Sequence, residues 1–523
     1  MISLTRKQFH HYFYIACLMT IAIALPLSNY AMSVGGVLLL VNAVLQWDWK
    51  SKWERIRSNK CLVFYLLFFL SYAIGWLHAD NFQAALDAML NRLPLLIAPL
   101  VIASSELPTK RQYNAIIHVY LASVLFATIY SIVFYVTNTV EDIREISRFI
   151  SHIRFSLSIV LSMVFAAYYS WLFAKQNKFL MCSYLLLMTW LFVYLIISQT
   201  LTGICILFLL LVVFFFYLVC VLKNTKIRKR ILFFSALPIL IFVILFMWLS
   251  IDYFCDKDRG APLLEVTENG SPYYHSAESM IENGHRIFSY VAYDELPIAW
   301  QKRSSVPYDE VEPTLIRYLN SLGWTKDSAS VARLSLQQVG HIEQKIANVE
   351  YAKKFGLKKN IYATFFSISA YSHYRQVENS SLLQRVELWR NSCSLFYRNF
   401  WWGVGIGDHK AELDKELQRN QSPLMAHPKK GCHNQFLTIG ISSGIFALLA
   451  FLMMLFAPFF VMRGKLSPLY VAFFIILFVS MFTEDTLDTS AGVFLFALFN
   501  ALLLFVQPNL ETNSLKKDLK LQS

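Results

Sequence analysis

Apolar stretches long enough to cross a bilayer recur along most of this 523-residue chain, and they constrain its fold more than any other feature. Hydrocarbon offers no water to backbone N–H and C=O groups, so a spanning segment must be a helix of about 20 residues or part of a closed barrel. The alternating pattern of a barrel strand is absent. Apolar runs lie near 11–28, 31–47, 61–78, 85–103, 113–136, 154–174, 179–197, 202–222, 231–251, 435–461, 467–483 and 490–508. They predict an all-α polytopic membrane protein of about 12 transmembrane helices. Only 15% of the residues are charged, against about 25% in a soluble domain. The first run lacks a small-residue cleavage site and reads as a retained span.

One polar stretch interrupts this pattern. It divides the chain into an N-terminal membrane domain (1–251), a large, mostly helical loop (252–430), C-terminal membrane helices (431–508) and a polar, disordered tail (509–523). The net charge of +13 is explained by where the cations sit. Arg6 and Lys7, the Lys50–Lys60 cluster, Lys110 and Arg111, Lys175 and Lys178, Lys223–Arg230, Arg463 and Lys465, and Lys516–Lys520 fall in alternate connections. The opposite short connections hold little beyond Arg144 and Arg148. The positive-inside rule then places both termini in the cytoplasm and the loop outside. No nucleic-acid partner is needed to account for the charge.

Within the loop, residues 252–312 are turn-rich, with Asn283-Gly284 as one turn. Pro313 begins a helical run that Gly323 interrupts, and Ser335–Gln338 offers a cap before Val339, Ile342 and Ile346. Residues 381–400 are amphipathic at helical spacing. Cys255, Cys393 and Cys432 face outward, where a disulfide can form. No metal-ligand spacing appears among the eight cysteines.

The loop re-enters apolar sequence through Gly431-Cys432-His433-Asn434-Gln435-Phe436-Leu437-Thr438-Ile439-Gly440. An ionisable group at such a boundary is costly and marks a candidate site. An imidazole titrates near neutrality and can take a proton from a hydroxyl, so His433 is the candidate base, ahead of His409 and His427. Asn434 and Gln435 are placed to orient it or to bind sugar hydroxyls. Arg385, Arg154 and Arg286 are candidate binders of phosphate oxygens, since guanidinium groups stay charged and bind them in pairs. Arg92 and Arg317 are further arginines, and snorkelling to headgroups is the plain alternative for each. Gly403, Gly405 and Gly407 lack the strand and lysine of a phosphate loop and read as a tight turn with close backbone approach. Asp408 reads as a cap for the next helix. Glu484, Asp485 and Asp488 read as a solvated acidic loop.

The ordered set Arg385-Val386-Glu387-Leu388-Trp389, Trp402-Gly403-Val404-Gly405-Ile406-Gly407-Asp408 and His433-Asn434-Gln435-Phe436-Leu437, with Gly440 and Gly444, resembles the O-antigen ligase superfamily. Arg317–Ser321, Lys326–Ser328 and Ile342-Glu343 resemble its variant in Bacteroidetes. The resemblance implies transfer of glycan from undecaprenyl diphosphate to a hydroxyl acceptor such as lipid A-core, on the periplasmic face, with no cofactor, nucleotide or metal. It implies a histidine base, here His433, and diphosphate-binding arginines, here Arg385 and, more remotely, Arg154. Membrane lipid, the lipid-linked donor and the acceptor are the implied partners. Polymerases and protein O-oligosaccharyltransferases share the pattern. A lipid-linked glycan transporter is a remoter alternative, because no inverted repeat is evident. In Ser198-Gln199-Thr200-Leu201-Thr202-Gly203, Gln199 stands where many members carry an arginine, so an uncharged amide would meet the donor there.

Overall fold

The computed structural model describes residues 5–140, 142–221, 240–241, 243–260, 263–276, 278–353, 357–377, 380–425 and 431–510. His427, the cations between Lys223 and Arg230, residues 231–239 and 242 of the expected ninth span and the tail beyond 510 lie outside these residues. The chain divides into a unit formed by 1–217 with 387–523 and a second unit, 218–386.

In the first unit seven helices are long and apolar enough to cross a membrane: Phe82–Ser104, Lys110–Thr137, His152–Phe173, Lys178–Ile197, Leu201–Cys220, Gln435–Val461 and Ser490–Leu510. An eighth is reached if Asn29–Leu45 is counted with Trp49–Ser58, which turns away from it by 114°. Among the described residues, seven or eight helices meet that test where the sequence suggested about twelve. Arg6–Ala24 has 19 residues but opens on the polar run Arg6-Lys7-Gln8. Cys61–Ile74 and Pro468–Thr483 are apolar but have only 14 and 16 residues. A helix rising 1.5 Å per residue needs about 20 residues to cross the hydrocarbon. The turn away at Trp49 has its own cause. Trp49–Ser58 carries Lys50, Lys52, Arg55 and Arg57, and exposes Trp49 and Trp53. That mixture suits the plane of an interface.

Ser490–Leu510 is the axis of the bundle, with 94% of its apolar window buried inside the protein. Phe499 lies between Tyr120 and Phe165, with ring centroids at 4.6 and 5.4 Å. Lys178–Ile197 and Leu201–Cys220 bury only 17% and 22% of theirs, so they present their sides to lipid. Lipid tails are as apolar as leucine, and close fit and interhelical hydrogen bonds must hold such a bundle. Trp190 donates to Thr128 at 2.9 Å, Tyr169 to Asn114 at 3.0 Å and Tyr470 to Asn500 at 3.1 Å.

The helix Gln435–Val461 is broken at Gly444, whose φ of 74° and ψ of −173° suit only glycine. The break frees carbonyls within the bundle. The chain at 401–407 takes them up: Val404 N–H donates to Ile441 O at 2.7 Å and Gly405 N–H to Ser442 O at 3.1 Å. Ile445 N–H returns to Phe400 O at 2.8 Å. Non-helical backbone at this depth is tolerated because its polar groups are paired within protein. A Cβ on Gly403 would stand 2.5 Å from Ile441 O, so the expected close approach is real.

The second unit has its own core of Val291, Leu296, Trp300, Val311, Leu315, Leu319, Val331 and Ile342. Around it lie Leu296–Gln301, Tyr308–Ser321, Ser328–Ala332, Leu336–Glu343 and Leu357–Tyr374. Ser335 and Gln338 form the expected capping box. Asn283-Gly284 is the turn of a two-stranded hairpin, Ile281–Glu282 with His285–Arg286. Both turn residues have positive φ, 58° and 83°, as a tight hairpin requires. Pro313 lies inside Tyr308–Ser321, not at its start; Asp309 and Glu310 occupy the first turn and favour the earlier beginning.

Candidate active site

The site is built where the break, the loop re-entry and the last short turn meet in the first unit. The chain entering Gln435–Val461 passes through His433 with φ of 49°, a left-handed conformation that is unusual for a residue with a side chain. Asn434 caps the helix, its Oδ1 accepting from Phe436 N–H and Leu437 N–H at 3.1 Å each. Its Nδ2 donates to Phe482 O at 3.1 Å. Trp389 Nε1 donates to His433 O at 3.3 Å. The backbone at His433 is thus held from several sides while its imidazole stays partly exposed.

The acidic turn Glu484–Asp488 does most of the holding, and the expectation of a solvated loop is overturned. Asp485 accepts from His433 N–H and Asn434 N–H, both at 3.1 Å, and from Thr438 Oγ1 at 2.6 Å. Those donors stand at a helix N-terminus, where a carboxylate is favoured. Gly431 is required beside it, because a Cβ there would meet Asp485 Oδ2 at 2.6 Å. Gln435 is fully buried; its Nε2 donates to Asp488 Oδ1 at 3.1 Å and its Oε1 accepts from Leu487 N–H at 2.6 Å. Gln435 is therefore a brace, turned away from any sugar. Asp488 also pairs with the buried Arg92, whose guanidinium lies 4.7 Å from the Tyr72 ring centroid. Burial, with Asp488 alongside, holds the Asp485 carboxyl above the usual carboxylate range. Burial pushes Asp488 the same way, but Arg92, His409 and Gln435 outweigh it and hold Asp488 low.

Glu484 is 2% exposed and faces two candidate residues with one oxygen. Its Oε2 is 3.1 Å from Arg154 Nη1 and 3.6 Å from His433 Nδ1. Arg154 Nη2 donates to Asp485 O at 3.3 Å. Arg154 is thus brought beside His433. Gln199 lies at the same end of the unit, exposed, with φ of 51°. It sits in the turn before Leu201–Val221, where Gly203 packs so closely that a Cβ would fall 2.8 Å from Ser156 Cβ. Ser156 is two residues after Arg154. Both His433 and Gln199 therefore stand on strained, left-handed backbone.

Other expectations resolve differently. Arg286 is in the second unit and is spent on Asp256, with Nε and Nη2 at 2.9 and 2.8 Å from one oxygen. Arg317 is likewise spent on Glu282, in two bonds of 2.9 Å. Arg385, half-buried, lies on Ser381–Arg398 in the part belonging to the second unit. Asp408 precedes the helix His409–Arg419 but makes no side-chain cap there. It accepts instead from Asp80 N–H at 2.8 Å and Asn81 N–H at 3.2 Å, tying the glycine segment to another helix start. All cysteines among the described residues are free, so no disulfide joins Cys255, Cys393 and Cys432. Cys432 is buried, and burial, reinforced by Asp485, pushes its thiol up to about 12.

Glu484, Asp485, Asp488 and Thr438 were not singled out by sequence reasoning as parts of the site, and His409 was ranked behind His433 as a base. One signal was present: three carboxylates crowd a five-residue turn between two apolar helices. His409 is buried, and neither ring nitrogen has a hydrogen-bond partner among the described residues. Burial pushes its imidazole down to about 4, so it is neutral at physiological pH.

An apolar helical bundle with a polar, cation-bearing site at one end defines a multi-pass membrane protein. Residues 184–452, just over half of the chain, match the O-antigen ligase family, and the chain belongs to that family. Its members are membrane glycan transferases of the ligase and polymerase type, acting on lipid-linked glycans. No curated protein matches the chain.

Proposed function

We propose that this protein transfers glycan from undecaprenyl diphosphate to an acceptor hydroxyl, such as that of lipid A-core, with His433 as general base. The single observation that carries this reading is the setting of His433: partly exposed, on strained backbone, fixed through its amide by Asp485 and faced by Glu484 beside Arg154. The acceptor hydroxyl gives its proton to His433. Its oxygen forms a bond to the anomeric carbon as the bond from that carbon to the diphosphate breaks, and the electron pair leaves on the diphosphate. In-line attack inverts the anomeric configuration. Arg154 supplies charge for the departing diphosphate, and Gln199 an uncharged hydrogen bond. Asn434 and Gln435 hold the base in place.

In the same reading, twelve segments cross the membrane, the shorter ones by local thinning or tilt of their neighbours. Residues 1–251 and 431–508 form the membrane portion and 252–430 the periplasmic loop. The charge distribution puts both termini in the cytoplasm and His433 at the periplasmic face. The test is reconstitution of the purified protein in liposomes with a lipid-diphosphate glycan and candidate acceptors. His433→Ala should reduce covalent product by at least about 100-fold with expression intact. Near-normal transfer by that variant would sink the assignment. The product also separates the family's activities: modified lipid A-core marks a ligase, a longer carrier-linked chain a polymerase, and glycosylated protein an oligosaccharyltransferase.

A further inference from the structure

The carboxylates around His433 are not equivalent. Asp485 is occupied by two backbone amides and a threonine hydroxyl, and Asp488 by Arg92 and Gln435. Glu484 is the carboxylate that addresses a side chain on each side of the reaction. The same oxygen, Oε2, is 3.1 Å from the donor-side Arg154 and 3.6 Å from the imidazole Nδ1. The first is an ion pair within hydrogen-bond distance and the second is longer than that. Arg154 is close to buried, and its Nε has no hydrogen-bond partner among the described residues, so its guanidinium is not fully used.

We infer that Glu484 is a positioning residue that couples donor binding at Arg154 to the basicity of His433. The inference rests on the proposed roles of His433 and Arg154. Without donor, Arg154 is the nearer partner and draws the Glu484 charge to itself. A diphosphate that engages Arg154 competes for the guanidinium and loosens its hold on Oε2. The carboxylate then closes on His433 Nδ1–H. That bond fixes the tautomer with Nε2 as the proton acceptor and stabilises the imidazolium formed when the acceptor hydroxyl gives up its proton. The base becomes strong only when there is something for it to do. Among the described residues the other charged and titratable groups here are His152 on His152–Phe173, Arg144 and Asp142 near it, and Asp485 on the acidic turn, with Cys432 beside Asp485 and Asp488 and Arg92 behind it.

The test is the pH dependence of transfer in proteoliposomes for wild type, Glu484→Gln, Glu484→Asp and His433→Ala. A sugar–diphosphate–lipid donor has no ionisation near neutrality, so the limb near neutral pH belongs to the enzyme. In wild type, the apparent pKa of the base read from kcat, with donor bound, should lie above that read from kcat/KM, without it. Glu484→Gln should bring the two together and lower kcat by on the order of 10–100-fold, as loss of an orienting partner does. Glu484→Asp, which keeps the charge, should keep the separation and part of the rate. Coincident values in wild type would overturn the coupling even if a variant fails to fold. So would a Glu484→Gln enzyme with the wild-type separation. An active His433→Ala enzyme would instead refute the base assignment itself, and an inactive one with coincident wild-type values would refute the coupling alone.

Discussion

His409→Phe isolates a buried neutral imidazole. The folded protein holds His409 down to about 4 because the ring is buried and neither nitrogen has a hydrogen-bond partner among the described residues. The unfolded chain protonates it at its ordinary value of 6.5. Between those values the unfolded state binds more protons than the folded one, so stability falls as pH falls through this window and rises as pH rises through it. A difference of one bound proton changes stability by about 1.4 kcal/mol for each pH step of one, so at pH 5 the wild type has lost about 2 kcal/mol relative to pH 7 through this residue alone. Phenylalanine has similar volume, no proton to take up and no nitrogen to leave unpaired. Replacing unpaired polar groups by apolar ones of the same shape is neutral or stabilising. The variant should therefore match or exceed wild type at pH 8 and gain a further advantage of about 2 kcal/mol by pH 5. The assay is the unfolding midpoint in one detergent across pH 8, 7, 6 and 5. Parallel curves for the two proteins would refute the description of His409 as buried and neutral.

Gly444→Ala should destabilise the protein and abolish transfer. It forces a side chain into a glycine-only conformation, at about 1–3 kcal/mol, and places a Cβ 2.1 Å from Trp401 O; an unchanged unfolding midpoint would contradict the break. Asp488→Asn should cost about 3–5 kcal/mol in unfolding measurements by leaving buried Arg92 without its carboxylate. The double variant with Arg92→Met should recover part of that loss, and failure to recover any would show that the pair is not coupled.

The elements legible in the sequence were those whose signal is local. Ser335 and Gln338 announce a helix start within four residues, and Asn283-Gly284 announces its turn. His433 was legible because an imidazole at the edge of a long apolar run is conspicuous, and the three glycines because their spacing suits no ordinary element. The misreadings share a different property. Glu484–Asp488 looked solvated because the groups it satisfies, His433 to Thr438, lie about 50 residues earlier. Asp408 looked like a local cap, but its acceptor capacity goes to amides more than 300 residues away. Arg286 looked available because its partner, Asp256, lies 30 residues earlier in the turn-rich stretch. Hydropathy registers an apolar run of 14 residues as readily as one of 20, so the sequence alone does not separate Cys61–Ile74 from the seven longer apolar helices among the described residues.

The broken helix has a further consequence. The bonds that tie residues 404 and 405 to 441 and 442 run between main-chain atoms. They are therefore blind to side-chain identity. A change of side chain at Val404, Ile441 or Ser442 leaves these bonds available, whereas Gly403 and Gly444 have no alternative. The arrangement separates the address of the site from its vocabulary. Such a scaffold can take new side chains without being refolded.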